Sequence, residues 1–84
     1  MNNKVLVKVT LIELDESFDV FIPVNEIIWK IKKLILKSIS DLTNNYLDIN
    51  GEYTLLNKDT SRIYSNNEVV INTDIRNGTE LLII

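Results

Sequence analysis

One stretch of this sequence decides the fold, because a two-residue repeat of apolar side chains changes there to a helical repeat. Residues 18–28 are Phe18-Asp19-Val20-Phe21-Ile22-Pro23-Val24-Asn25-Glu26-Ile27-Ile28. The alternation through Ile22 predicts a strand with one buried face. Pro23 has no N–H for a sheet ladder and marks the end of the strand. Asn25 and Glu26 are then predicted to cap a helix and to supply a favourable first-turn charge.

The predicted helix runs to about Ser40 and is amphipathic. Its apolar stripe consists of Val24, Ile27, Ile28, Ile31, Leu34, Ile35 and Ile39, and the lysines off that stripe are Lys30, Lys32, Lys33 and Lys37. The basic face is either simply solvated or turned toward an acidic partner or an anionic surface. Trp29 and Leu36 lie seven residues apart on one edge outside the stripe. They belong either to a core that wraps round the helix or to a partner-binding surface.

The segment before this stretch predicts the first strand of a hairpin. Residues 4–14 place Val5, Val7, Val9 and Leu11 on one face, and Leu6 and Ile12 fall on the other face. Asp15-Glu16-Ser17 is a polar break short enough for the hairpin turn.

The segments after the helix predict loops and short strands. Residues 41–51 have loop composition and end in the turn signal Asn50-Gly51. Residues 53–57 are predicted as a strand, 58–61 as a turn and 62–64 as a short partner strand. No conformation is assigned to residues 65–72. Residues 79–84 are apolar almost throughout, as an interior strand would be.

The order of these elements predicts a single α+β domain over residues 1–84, with one helix on a mixed sheet. The most apolar strand, the last, belongs between the first and third strands and parallel to the first. This is the two-layer β-grasp arrangement, ββαββ with a further short strand. The predicted core consists of Val5, Val7, Val9, Phe18, Val20, Ile28, Ile31, Ile35, Leu55, Val70, Ile75, Leu81 and Ile83.

Two stretches resemble ubiquitin-like proteins. One is the segment from Phe18 to Ile28, and the other is Val70…Ile75-Arg76-Asn77-Gly78-Thr79-Glu80-Leu81-Leu82-Ile83. The first is most similar to the YukD/EsaB group, small ubiquitin-like proteins encoded with type VII secretion systems of low-GC bacteria. The resemblance implies an accessory or regulatory role in such a system. The alternative is a ubiquitin-like adaptor or regulatory subunit of an unrelated bacterial or phage system.

The C-terminal residues depart from the pattern of conjugated relatives. Conjugating ubiquitins and the sulfur carriers ThiS and MoaD end in a mobile Gly-Gly whose carboxylate is activated. Here the sequence stops at Leu82-Ile83-Ile84, inside the predicted strand, with no glycine after Gly78. We therefore expect no adenylation or conjugation.

Composition excludes several chemistries. The 84 residues contain no Cys and no His, which excludes disulfides, thiol nucleophiles, Cys/His zinc sites and imidazole catalysis. The net charge of -3 is opposite to that of a typical nucleic-acid binder. No apolar run reaches the roughly 20 residues that span a bilayer, and no signal peptide is evident. We expect a cytoplasmic protein that neither binds nucleic acid nor inserts in a membrane.

No group of residues predicts an enzyme, a metal site or a cofactor. Glu13, Asp15 and Glu16 cluster at the hairpin, where acids are usually solvated. Asp41 and Asp48 lack the alternating ligand positions of a calcium loop. Without His, no Ser–His triad can be built, and the remaining alternative, a Ser–Lys pair, has no motif that supports it.

The predicted functional site is therefore a surface. Strand alternation places five aliphatic side chains on the sheet face away from the helix: Leu6, Ile12, Leu56, Leu82 and Ile84. Such a patch indicates an interface with a protein partner or with a second copy of the chain. The alternatives are that a loop or terminus covers it, or that one strand has a shifted register. Ubiquitin-like domains bind partners through this face, and the resemblance implies the same use here.

Overall fold

A computed structural model describes residues 3–84 as a four-stranded mixed sheet with one α-helix packed on it. The strands are β1 (Lys4–Leu11), β2 (Glu16–Pro23), β3 (Leu55–Asn57) and β4 (Glu80–Ile83), the helix is α1 (Ile28–Thr43), and a 3₁₀ turn spans Val70–Asn72. Residues 1–2, included in the predicted domain, lie outside the described residues. No helix in residues 3–84 is long and apolar enough to cross a membrane.

The strand order confirms the predicted fold class. The sheet runs β2-β1-β4-β3. β1 pairs antiparallel with β2 and parallel with β4, and β4 pairs antiparallel with β3. The first and last strands are therefore the parallel central pair, which together with the single helix makes the domain a β-grasp fold.

The core lies between α1 and the inner face of the sheet. Alternate residues of β1 point inward, and Val7, Val9 and Leu11 are buried. Every predicted core residue is buried except Phe18, which is half-buried and packs against the cluster. The structure adds six buried residues to the predicted core: Leu11, Ile22, Leu36, Ile39, Leu47 and Tyr64.

The hairpin turn starts earlier than the sequence predicted. β1 ends at Leu11, and the Leu14 N–H donates to the Leu11 carbonyl while the Asp15 N–H donates to the Ile12 carbonyl. Asp15 takes a left-handed conformation, with φ of 53°, which Asp tolerates better than most residues. The prediction that residues 12–14 continue the strand is therefore wrong, because a turn of main-chain hydrogen bonds replaces the ladder with β2 after Leu11.

The N-terminus of α1 also differs from the prediction. The helix begins at Ile28, and its N-cap position, Ile27, makes no side-chain cap. Instead, the Ile28 N–H donates to the Glu68 carbonyl (2.8 Å) and the Trp29 N–H to the Asn66 carbonyl (3.3 Å). A distant loop thus satisfies amides that a helix start leaves unpaired, and Asn25 is not the cap.

We expect the substitution Asn25→Ala to change the free energy of unfolding by less than about 0.5 kcal/mol, as at an ordinary surface position. A true cap residue would cost about 1 kcal/mol. Urea unfolding measures the difference. Asn44→Ala serves as the positive control, since Asn44 ends α1 in a left-handed conformation and alanine there should cost about 1 kcal/mol. Equal losses for the two variants would contradict the observed capping.

Three further elements differ from the prediction in detail. α1 continues past Ser40 to Thr43, whose Oγ1 donates to the Ile39 carbonyl at 2.8 Å. β3 is shorter than predicted and starts at Leu55. Residues 62–64 form no strand, and only an isolated bridge joins Ile63 to Leu56.

Candidate functional site

The outer face of the sheet, away from α1, is divided by a row of charged residues. Even-numbered residues of β1 point to this face, because the odd-numbered ones are buried. Lys8 lies in the middle of the row, paired in register with Asp19 on β2 and with Glu80 on β4. Apolar side chains lie on both sides of this row.

The row crosses the strands, and a cluster of aliphatic side chains lies on its side toward the C-terminal ends of β1 and β4. Leu82 is directly opposite Leu56 in the ladder, and Leu56 is bridged in turn to Ile63. The Ile12 N–H donates to the Ile83 carbonyl at 3.2 Å, which places Ile12 next to the end of β4 and to Ile84. We call these five residues (Ile12, Leu56, Ile63, Leu82 and Ile84) the outer-face patch.

The outer-face patch is open to solvent. Ile12 is 49% exposed, Ile63 66% and Ile84 54%, and Leu56 and Leu82 are half-buried between them. No described segment therefore covers it. The pairing of Leu56 with Leu82 also removes the alternative of a shifted register in β3 or β4. The role of the patch in binding a partner stays a prediction.

The structure changes the membership of the predicted surface at two positions. Leu6 does point outward, but it pairs with the exposed Phe21 on the far side of the charged row and so lies apart from the patch. The sequence prediction did not include Ile63 in this surface. Its prediction of residues 62–64 as a partner of the third strand could have placed Ile63 beside Leu56. Ile12 lies in the hairpin turn after β1, so its place in the patch comes from the turn and not from the predicted strand alternation.

The helix edge predicted from Trp29 and Leu36 splits into one exposed and one buried residue. Leu36 is 1% exposed and belongs to the core, so its assignment to a partner-binding surface is wrong. The physical reason is that residues after the helix extend the core around it, with Leu47 buried and Ile49 and Tyr53 packed against the same cluster. Trp29 is exposed, with the Lys33 Nζ 4.9 Å from the centroid of its ring. Leu34, predicted on the buried stripe, is exposed as well.

A polar network holds the segment beside the patch in place. The Tyr64 hydroxyl donates to Asp74 Oδ1 (2.5 Å) and accepts from Asn57 Nδ2 (3.3 Å). Arg62 bonds Glu68 Oε1 at 2.6 Å and lies 3.5 Å from Asp74 Oδ1. Tyr64 and Asn57 are buried, so these bonds fix residues 57–74 against β3 and thereby position Ile63.

The hairpin acids do not form a reactive cluster. Glu13 Oε1 accepts a hydrogen bond from the Tyr53 hydroxyl at 2.8 Å, which ties the hairpin to the segment before β3. In residues 3–84 no group of three or more acidic side chains could hold a metal ion.

Tyr64 gives the protein an alkaline-sensitive contact. Burial, followed by the hydrogen bond to Asp74, raises the pKa of Tyr64 to about 12. Because the folded-state pKa lies above the usual value of 10.0, this group stabilises the fold below pH 10, and the stabilisation is lost as pH rises toward 12. The slope is at most about 1.4 kcal/mol per pH unit for one proton.

We expect Tyr64→Phe to unfold at lower urea concentration at pH 7 and to show a flatter decline of stability between pH 10 and 12. Two other groups with shifted pKa values titrate in both proteins: the hydrogen bond to Glu13 raises the pKa of Tyr53, and burial lowers the pKa of Lys32. The difference between the wild-type and variant curves of stability against pH therefore isolates the contribution of Tyr64. Parallel declines in the two proteins would contradict this assignment.

Solved structures of ubiquitin-like domains match this chain over its full extent. The EccD5 ubiquitin-like domain from Mycobacterium xenopi matches with a TM-score of 0.79, at 15% sequence identity, covering 99% of this chain and 94% of that one. The chain has the ubiquitin-like fold. A second match is an N-terminal ubiquitin-like domain solved in solution, with a TM-score of 0.70, 15% identity and coverage of 100% of this chain and 76% of that one.

A third match belongs to a larger assembly. One chain of the MycP5-free ESX-5 inner membrane complex in State II matches with a TM-score of 0.77 and 19% identity over 99% of this ubiquitin-like chain. This chain spans 21% of the length of that one. No protein-family model and no curated protein matches the sequence.

Proposed function

We propose that this chain is a ubiquitin-like module that binds a protein partner as an accessory or regulatory component of a bacterial type VII secretion system. The observation that carries the proposal is the outer-face patch, in which five aliphatic side chains meet on one open face of the sheet. Contiguous exposed apolar surface of this kind typically marks a protein interface.

The surroundings of the patch fit such an interface. Leu56 and Leu82 lie at its centre, where a partner would bury them completely. Polar groups border it on the β2 side, where Thr10 Oγ1 and Ser17 Oγ are hydrogen-bonded at 2.8 Å. Lys8, with Asp19 and Glu80, continues that border. An apolar centre with a polar rim is the usual anatomy of a protein–protein interface.

Type VII secretion is favoured over an unrelated system by two of the structural matches. Both the EccD5 domain and the ESX-5 inner membrane complex belong to ESX type VII secretion. A ubiquitin-like fold of this kind would bind the cytoplasmic part of such an assembly. A cytoplasmic location also agrees with a sequence that has no Cys.

Binding is favoured over catalysis by what the acidic side chains do. Glu13 is bonded to Tyr53, and Asp74 is bonded to Tyr64 and lies close to Arg62. These carboxylates serve the packing of loops. The outer-face patch is apolar and offers a partner contact area but no reactive group.

The proposal is tested by capturing tagged protein from the native host and identifying bound proteins by mass spectrometry. We expect a component of the secretion assembly among them. Capture only of proteins outside secretion would contradict the secretion role and favour the adaptor alternative. Sedimentation of the purified protein distinguishes a second copy as the occupant, because a homodimer on the patch would dissociate when Leu82 is replaced by lysine.

A further inference from the structure

A cleft of about 590 Å³ opens between α1 and the segment that precedes β3. Its apolar lining includes Leu36, Ile49 and Tyr53, and Trp29 lies at its helix side. Ile63, a member of the outer-face patch, also lines the cleft. The volume is in the range of sites that hold small ligands or several residues of a peptide.

The helix side of the cleft is positively charged. Lys32 and Lys33 line it, and Glu52 is the one acid among the described residues of its lining. Residues 28–37 of α1 contain four lysines and no acid, on a chain whose net charge is -3. The cleft is therefore a local basic site on an acidic protein, and it favours anionic ligands.

Lys32 is held in a position to bind such a ligand. Its Nζ donates to the Tyr53 carbonyl at 2.7 Å, which fixes the ammonium at the cleft. An ammonium has three donors, so two remain for a ligand. Partial burial lowers the pKa of Lys32. A bound carboxylate would offset that loss of solvation.

We propose that this cleft binds an acidic peptide segment of a partner protein, with an apolar side chain against the half-buried Ile49 and Tyr53 and carboxylates on Lys32 and Lys33. The apolar lining and the two ammonium groups together select this occupant, since an inorganic anion would leave the lining uncovered. The cleft is a second docking surface that shares Ile63, and no other residue, with the outer-face patch.

Trp29 allows a direct test because it is the one tryptophan of the sequence and lies in the cleft. The probe is the blocked peptide Asp-Asp-Phe-Asp-Asp, titrated into the whole chain while tryptophan emission and binding heat are recorded. We expect saturable binding. A peptide with Ser in place of Phe should bind about tenfold more weakly, since it lacks the apolar contact.

Two charge-matched variants test the assignment of the lysines. Lys33→Glu should weaken binding of the probe by about tenfold or more. Lys37→Glu makes the same charge change on the same helix outside the cleft, and should weaken it by less than about threefold because only screened long-range attraction is lost. Equal weakening by both variants would overturn the proposal, since it would mean general attraction to the helix.

Two other outcomes would also overturn it. One is the absence of saturation with the Phe-containing peptide up to several millimolar. The other is a shift of Trp29 emission by phosphatidylglycerol vesicles but not by the peptide, which would assign the lysines to membrane contact. A variant with Leu56→Lys and Leu82→Lys should bind the probe like the wild type, so failure of the cleft and failure of the outer-face patch are distinguishable.

Discussion

Replacing Leu56 and Leu82 together by lysine should lower the affinity for the captured partner by at least about 100-fold, which is about 2.7 kcal/mol. The two leucines are paired at the centre of the outer-face patch. A partner that buries this centre would have to desolvate two ammonium groups where it now meets apolar side chains. Surface plasmon resonance with the purified partner measures the loss.

The same double substitution should leave the fold intact. Both residues are half-buried on the outer face. The long side chain of a lysine at either position can extend its ammonium group into solvent. Leu42→Lys is the matched control, since Leu42 is exposed on α1 away from the patch and undergoes the same chemical change. Unchanged partner affinity in the double variant, or an equal loss of affinity in the control, would contradict the assignment of the outer-face patch as the partner-binding surface.

Leu81→Ala should destabilise the protein by about 2 to 5 kcal/mol, the usual cost of truncating a buried leucine. Leu81 is fully buried on β4, opposite Val9 on β1 and Asn57 on β3. A cavity there lies between the two layers of the domain and next to both neighbouring strands. For a chain of this size, such a loss lowers the midpoint of thermal unfolding by roughly 10 °C or more.

Ile71→Ala is the control for this truncation. Ile71 is 58% exposed in the 3₁₀ turn, so its loss should cost less than about 0.5 kcal/mol. Calorimetry of both variants gives the comparison. A loss at Leu81 as small as that at Ile71 would contradict the burial of β4 in the centre of the sheet.

Local patterns were sufficient to predict the sheet and its central pair. The alternation in residues 4–11 fixed which side of β1 is buried, and the continuous apolar run at 81–83 indicated an interior strand. Both follow from the side-chain period of two along a strand. The same parity placed Leu56 and Leu82 on the outer face, and the ladder pairs them directly.

Features that depend on distant segments could not be predicted in the same way. Helical spacing alone puts Leu34 on the buried stripe, whereas the packing of Leu47 and Ile49 extends the core toward Leu36 instead. Asn25 has the residue type of a cap, but main-chain carbonyls from a later loop occupy that role. Neither effect leaves a trace in the local sequence pattern.

The main-chain bonds from Ile28 and Trp29 to residues 66–68 couple two parts of the chain that are far apart in sequence. The Ile28 and Trp29 amides have these main-chain partners only while the later loop is folded onto the helix. Native-state hydrogen exchange should therefore show the Ile28 and Trp29 amides opening together with the amides of Val70 and Ile71, which bond back to Glu26 and Val24. We therefore expect the beginning of the helix and the 3₁₀ turn to behave as one cooperative unit.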